Sequence, residues 1–184
     1  MTLVTILGGA RSGKSTAAES SARGWGGAVV YVATAERGDD EMRARITLHR
    51  ERRPPEWVTR EEPMALGEAV ESAAGDALVL IDCLSLWVAN LVERGDEDNA
   101  ILAAARNAAR LAAQRKAPTI AVTNEVGLGV VPASPLGRRY RDLLGLVNQQ
   151  WVVASGAAYL AVAGRLLPLH EFPDSVHVGD LHDV

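Results

Sequence analysis

Residues 8 to 15 read GGARSGKS, and they stand between an apolar run, TLVTIL (2–7), and a helix-forming segment that begins near Lys14. The pattern G-x-x-x-x-G-K-[ST] in that setting constrains the fold more than any other feature of the chain. A glycine-rich turn from a buried strand into a helix converges backbone N–H groups on one point, where the helix dipole also favours negative charge. Gly8 and Gly13 allow the tight path, with Gly9, Ala10, Arg11 and Ser12 between them. Lys14 is then placed to bridge β- and γ-phosphates, and Ser15 to ligate Mg²⁺. A dinucleotide fold would need G-x-G-x-x-G here and an acidic residue after the second strand. The chain instead runs from AVVYVA into TAERG.

The rest of the chain repeats the same alternation. Short apolar runs, AVVYVA (28–33), ALVLID (77–82), TIAVTN (119–124) and AAYLAVAG (157–164), read with TLVTIL as strands buried on both faces. Between them, residues 14–24, 39–52, 64–74, 85–94, 97–116 and 135–154 read as helices. Strand and helix in alternation imply an α/β fold of the P-loop NTPase kind, a mostly parallel sheet flanked by helices. With 184 residues the chain suits one domain, spanning 1–184, with an irregular, acidic and turn-rich tail after Pro168.

Charge and cysteine usage narrow the partners. A formal net charge of −4 argues against a general nucleic-acid binder. The single cysteine, Cys83, cannot form an internal disulfide and lies in an apolar run, which fits a reducing cytoplasm and a small buried side chain better than a nucleophile. The N-terminus lacks the basic flank and long apolar core of a signal peptide, and no apolar stretch is long enough for a membrane span. His170, His177 and His182 have spacings that suit neither one helix face nor a compact zinc pair. Trp25, Trp57, Trp87 and Trp151 are scattered and read as core.

Two further features carry chemistry. ALVLID ends in Asp82, where a P-loop protein needs a carboxylate for the Mg²⁺ shell, although a strand-end aspartate can also simply cap the next helix. The second is RITLHRERRPPEW (45–57), which surrounds His49 with Arg45, Arg50, Arg52 and Arg53. Helical spacing puts Met42, Arg45, Ile46, His49 and Arg53 on one face, and cations on a partly apolar face call for a polyanion such as triphosphate. The neighbouring cations disfavour imidazolium, leaving a neutral His49 able to attack an α-phosphate and displace pyrophosphate. The same pattern also describes a solvated basic helix end with an incidental histidine.

GGARSGKS, YVATAE, DDEMRARITLHRERRPPEW with TREEP after it, IDCLSLWVANL, and NEVGLGVVP with RRYRDLLGLVNQ occur in one order from about residue 3 to 164. Together they resemble the bifunctional adenosylcobinamide kinase/adenosylcobinamide-phosphate guanylyltransferase family of cobalamin biosynthesis. The resemblance implies a RecA-like fold, ATP and GTP as substrates with Mg²⁺, and a corrinoid substrate. It implies phosphorylation of adenosylcobinamide, then transfer of GMP from GTP through a guanylylated histidine to give adenosylcobinamide-GDP. His49 matches that histidine, residues 8–15 the phosphate loop, and Ala33, Thr34 and Ala35 the loop after the second strand. Arg50, Glu51, Arg52 and Arg53 match the nucleotide-contacting segment, and Glu61 and Asp82 further nucleotide or metal positions. The family tends to associate as trimers, so a homo-oligomer is expected. After NEVGLGVVP the chain reads ASPLGRRYRD, without the acidic or amide residue expected close after the proline.

Two other functions fit parts of the same pattern. A plain small-molecule kinase would transfer a γ-phosphoryl group with no covalent nucleotide. A GTP-binding regulatory module would usually carry N-K-x-D after a late strand, whereas TIAVT here runs into NEVG. Asn124 and Glu125 end a central strand, where open parallel sheets place ligands.

Overall fold

The structure is a computed structural model that describes residues 2–36, 47, 50–51 and 53–170. The elements in chain order are β1 (Leu3–Gly8), α1 (Lys14–Arg23), β2 (Val29–Ala33), β3 (Val58–Glu61), α2 (Leu66–Glu71), β4 (Leu78–Asp82), α3 (Leu84–Arg94), α4 (Asp98–Gln114), β5 (Thr119–Asn124), α5 (Pro135–Ala154), β6 (Ala157–Val162) and β7 (Arg165–Leu169). The strands form one sheet in the order β3-β2-β4-β5-β1-β6-β7. All neighbours pair parallel except β6 and β7, which form an antiparallel hairpin.

The period of two along β4 shows how the core divides. Val79 and Ile81 pack with apolar residues of α2, α3, α4 and α5 on one face of the sheet, including Leu66, Trp87, Ile101, Leu144 and Trp151. Leu78 and Leu80 face the other side, where Ala18 and Ala22 of α1, Tyr31 and Trp57 close the second core. Helices on both faces explain why the strands read as continuous apolar runs rather than as alternating ones. Trp57, Trp87 and Trp151 are buried as expected, while Trp25 is exposed.

The differences from the sequence reading lie at the sheet edges and helix ends. β3 is an edge strand of sequence VTRE with no buried residue, so it carries no apolar signal. The run 157–164 is not one strand: Ala163 (φ 48°) and Gly164 (φ 76°) make a two-residue turn, and the chain returns as β7, whose five residues are all exposed. β7 therefore extends order to Leu169, beyond the expected start of the irregular tail. The helix read over 64–74 is the shorter α2, and that over 97–116 is α4. Within the helix read over 39–52, Thr47, Arg50 and Glu51 are helical, and the remaining positions lie outside the described residues. Residues 171–184, with His177 and His182, also lie outside them.

α2 has six residues, too few to be stable alone. Arg115, just after α4, donates to the carbonyls of Val70 (3.0 Å), Ala73 (3.1 Å), Ala74 (2.7 Å) and Ala77 (2.6 Å), which satisfies the end of α2 and the turn after it. Arg115→Ala is expected to cost about 2 kcal/mol in urea unfolding, discounted for the partial exposure of these bonds. An unchanged midpoint would show that water replaces the guanidinium without cost. Among the described residues no helix is long and apolar enough to cross a membrane.

Candidate nucleotide site

The phosphate loop leaves the C-terminal end of β1 and enters α1. A Cβ on Gly8 would lie 2.6 Å from Ser12 Oγ and 2.7 Å from the carbonyl oxygen of Ala161 on β6, so no side chain fits there. Gly13, at φ 94°, caps α1 in a left-handed conformation, and a Cβ on it would meet Gly164 Cα at 3.1 Å. The Gly164 N–H donates to Ser12 O at 2.9 Å, so the β6–β7 turn supports the loop from below. Lys14 is buried, and its Nζ donates to Gly9 O at 3.0 Å, while Gly9, Ala10 and Arg11 are exposed. The lysine therefore folds back over a loop whose outer surface faces solvent.

Asp82 ends β4, two strands from β1 across β5. Ser15 Oγ donates to Asp82 Oδ1 at 3.4 Å, and the Tyr31 hydroxyl donates to Oδ2 at 2.6 Å. Burial, and then the negative Asp82, push the Tyr31 phenol well above its ordinary range, which keeps it a protonated donor. A hydroxyl and a carboxylate at this separation form a hard oxygen donor set. Among the described residues no group of three or more His, Cys, Asp or Glu could hold a metal. The Ser15 hydroxyl and Asp82 carboxylate are the kind of hard oxygen donors that Mg²⁺ takes, with water and phosphate oxygens completing its shell.

The loop after β2 is tied to the start of α3. Thr34 is fully buried; its Oγ1 donates to Cys83 O (2.7 Å) and accepts from Cys83 N (2.8 Å). Asn90 Nδ2 donates to Thr34 O (2.8 Å) and Pro63 O (3.1 Å), and Glu62 N donates to Ala33 O (2.8 Å). Ala33 and Thr34 are thus held beside Asp82 by backbone bonds, the Thr34 hydroxyl and one buried amide, with Ala35 next in the chain. Replacing Asn90 by alanine leaves one buried and one part-buried carbonyl without that donor and is expected to cost roughly 1–3 kcal/mol of stability. Urea unfolding followed by circular dichroism measures it. A loss below about 1 kcal/mol would mean that water enters and takes over both bonds.

Cys83 is buried and free, with Sγ 2.9 Å from Ser85 Oγ. Burial, then the Asp82 charge, push its thiol from 9.0 up to about 11, which rules out a thiolate at neutral pH. The folded value lies above the unfolded one, so the contribution to stability is full below pH 9 and is lost as pH rises towards 11. The thermal midpoint is expected to fall over that interval. Cys83→Ala should flatten the part due to this group, and an identical fall in the variant would refute the assignment.

The arginine segment approaches from the β3 side. Arg53 Cζ lies 3.5 Å from the Tyr31 ring centroid, and Arg53 Nη1 donates to Thr59 Oγ1 at 3.3 Å. Arg50 and Glu61 form an ion pair at 3.8 Å with both side chains about half exposed, a contact worth little by itself. Glu61 ends β3 in register with Ala33, which is itself in register with Asp82, so these positions share one edge of the site. Glu51 is exposed; His49, Arg45 and Arg52 lie outside the described residues. On the other side Glu125 N donates to Gly8 O at 3.2 Å, and Asn124 Nδ2 donates to Ser85 Oγ at 2.9 Å. The loop that follows exposes Leu128, Val130 and Val131.

Residues 8–15, 33–35, Glu61 and Asp82 therefore lie along the C-terminal ends of parallel strands, the ligand edge of an open α/β sheet. Tyr31, Asn90 and Gly164 are site-supporting residues that sequence reasoning did not find. Only AVVYVA, with a tyrosine in an otherwise aliphatic strand, offered a signal for one of them.

This geometry defines a P-loop nucleotide-binding α/β protein. Residues 4–169 match the family model described as cobinamide kinase / cobinamide phosphate guanyltransferase. The chain is 44% identical over 179 residues to the bifunctional adenosylcobalamin biosynthesis protein CobP of Pseudomonas aeruginosa, covering 91% of this chain and 97% of that protein. It is 38% identical over 175 residues to the bifunctional adenosylcobalamin biosynthesis protein CobU of Escherichia coli, covering 88% and 96%. The Salmonella typhimurium protein of the same description is 37% identical over 175 residues, with the same coverage of 88% and 96%. The chain belongs to the cobinamide kinase / cobinamide phosphate guanyltransferase family, and is an enzyme of cobalamin biosynthesis.

Proposed function

We propose that this enzyme phosphorylates the aminopropanol hydroxyl of adenosylcobinamide with ATP or GTP, and then transfers GMP from GTP to the resulting phosphate. The observation that carries the reading is the convergence of Lys14, Ser15 and Asp82 on one loop at the strand ends, within a chain of this family. In the first reaction the loop N–H groups and Lys14 hold the β- and γ-phosphates and stabilise the charge that moves onto the leaving diphosphate. Ser15 and Asp82 would hold Mg²⁺, which when bound neutralises phosphate charge. Arg50 to Arg53, with Glu61 and the 33–35 loop, contact the nucleotide.

In the second reaction neutral His49 attacks the α-phosphorus of GTP, a phosphoramidate bond forms, and the bond to the β-phosphate oxygen breaks with release of pyrophosphate. The corrinoid phosphate then displaces histidine and gives adenosylcobinamide-GDP. Exposed Leu128, Val130 and Val131, in the loop that follows Glu125, support a seat for the large corrin ring, with Asn124 and Glu125 on the substrate side. The reading extends to a cytoplasmic homo-oligomer, a trimer as expected of the family, with no nucleic-acid partner.

The test supplies adenosylcobinamide with γ-labelled ATP, and in a second tube with unlabelled ATP and α-labelled GTP. Label should enter the corrinoid in both. Label in the first tube alone would reduce the enzyme to the plain kinase.

A further inference from the structure

Tyr31 is an odd residue for its position. It is 1% exposed in the core between the sheet and α1, where a phenylalanine would pack as well without burying a hydroxyl. The hydroxyl spends its bond on Asp82 Oδ2, at 2.6 Å, while Ser15 reaches Oδ1 at a longer 3.4 Å. Two hydroxyls from different elements thus orient one carboxylate, and the shorter bond comes from the buried one.

The ring is used as well. Arg53 lies over it at 3.5 Å, within the range of a cation–π contact, and Trp57 stacks beside it at 6.4 Å and 27°. A single side chain therefore touches the carboxylate at the end of β4 and an arginine of the 50–53 segment.

We propose that Tyr31 is a positioning residue: its hydroxyl presets Asp82 for Mg²⁺, and its ring holds Arg53 in the nucleotide site. The inference rests on the reading of Asp82 as a metal position. Its two parts separate by substitution, since phenylalanine keeps the ring and loses the hydroxyl, whereas leucine loses both.

The readouts are binding measurements without turnover. GTP affinity is measured in EDTA by calorimetry, and Mn²⁺ binding to the protein–GTP complex is followed by electron paramagnetic resonance. Tyr31→Phe should leave GTP affinity in EDTA unchanged and weaken Mn²⁺ binding roughly tenfold, the weight of one hydrogen bond to a charged group. Tyr31→Leu should weaken both. A Phe variant that binds Mn²⁺ like wild type, or one that loses GTP affinity in EDTA as well, overturns the proposal, the second result indicating a merely structural role. Asp82→Asn separates the two ideas. If it leaves wild-type Mn²⁺ binding intact, the metal reading falls and this inference with it; if it abolishes that binding while Tyr31→Phe does nothing, only the inference falls.

Discussion

Transfer of GMP to the corrinoid phosphate is expected to fall by on the order of 10⁴-fold or more in His49→Ala, while phosphorylation of adenosylcobinamide by ATP continues at a similar rate. The size follows from the role. A nucleophile that forms the covalent intermediate has no substitute in the site, and water attacking the α-phosphorus would yield free GMP rather than product. In the proposed mechanism phosphoryl transfer needs no such group, because there the corrinoid hydroxyl attacks the γ-phosphorus directly with Lys14 stabilising the leaving charge. Separate rates for the two half-reactions, measured on the same preparation, check this. Equal losses in both would make His49 a phosphate contact, as the plain-kinase reading has it.

Lys14→Ala should behave differently and lose both reactions, each by roughly 10²–10³-fold, the usual scale for removing one group that stabilises transition-state charge. The structure supports a shared cause: Lys14 is buried and lies over Gly9 O in the same loop that Gly8 and Gly13 shape. If one phosphate loop serves both steps, a single substitution there cannot separate them. A variant that kept guanylyl transfer while losing kinase activity would point to a second nucleotide site. Together the two substitutions distinguish a residue used by one reaction from a residue used by both.

Much of this site could be read along the chain because its demands are local. Gly8 and Gly13 answer to contacts and a φ angle that only glycine tolerates, so the loop is written in eight consecutive residues. Asp82 was legible because its strand is buried on both faces and ends abruptly in a charge. Edge strands were less legible. β3 and β7 have no buried side chain, which leaves no apolar period to detect.

Tyr31, Asn90 and Gly164 were hidden for another reason: each acts on partners between 22 and 152 residues away. Tyr31 reads as one more strand residue until Asp82 and Arg53 are placed around it. Gly164 looked like a strand end, whereas it forms the turn beneath Ser12. His49 stands out by the charge pattern around it and by the family; its neighbours Arg50, Glu51 and Arg53 are described, while it lies outside the described residues.

The central claim is that this imidazole carries GMP. Enzyme mixed with GTP and Mg²⁺, worked up under alkaline conditions that preserve phosphoramidates, should gain the mass of one GMP on the peptide containing His49. Protein that couples GMP to the corrinoid phosphate yet yields an unmodified His49 peptide, or carries the adduct on another residue, would contradict the account.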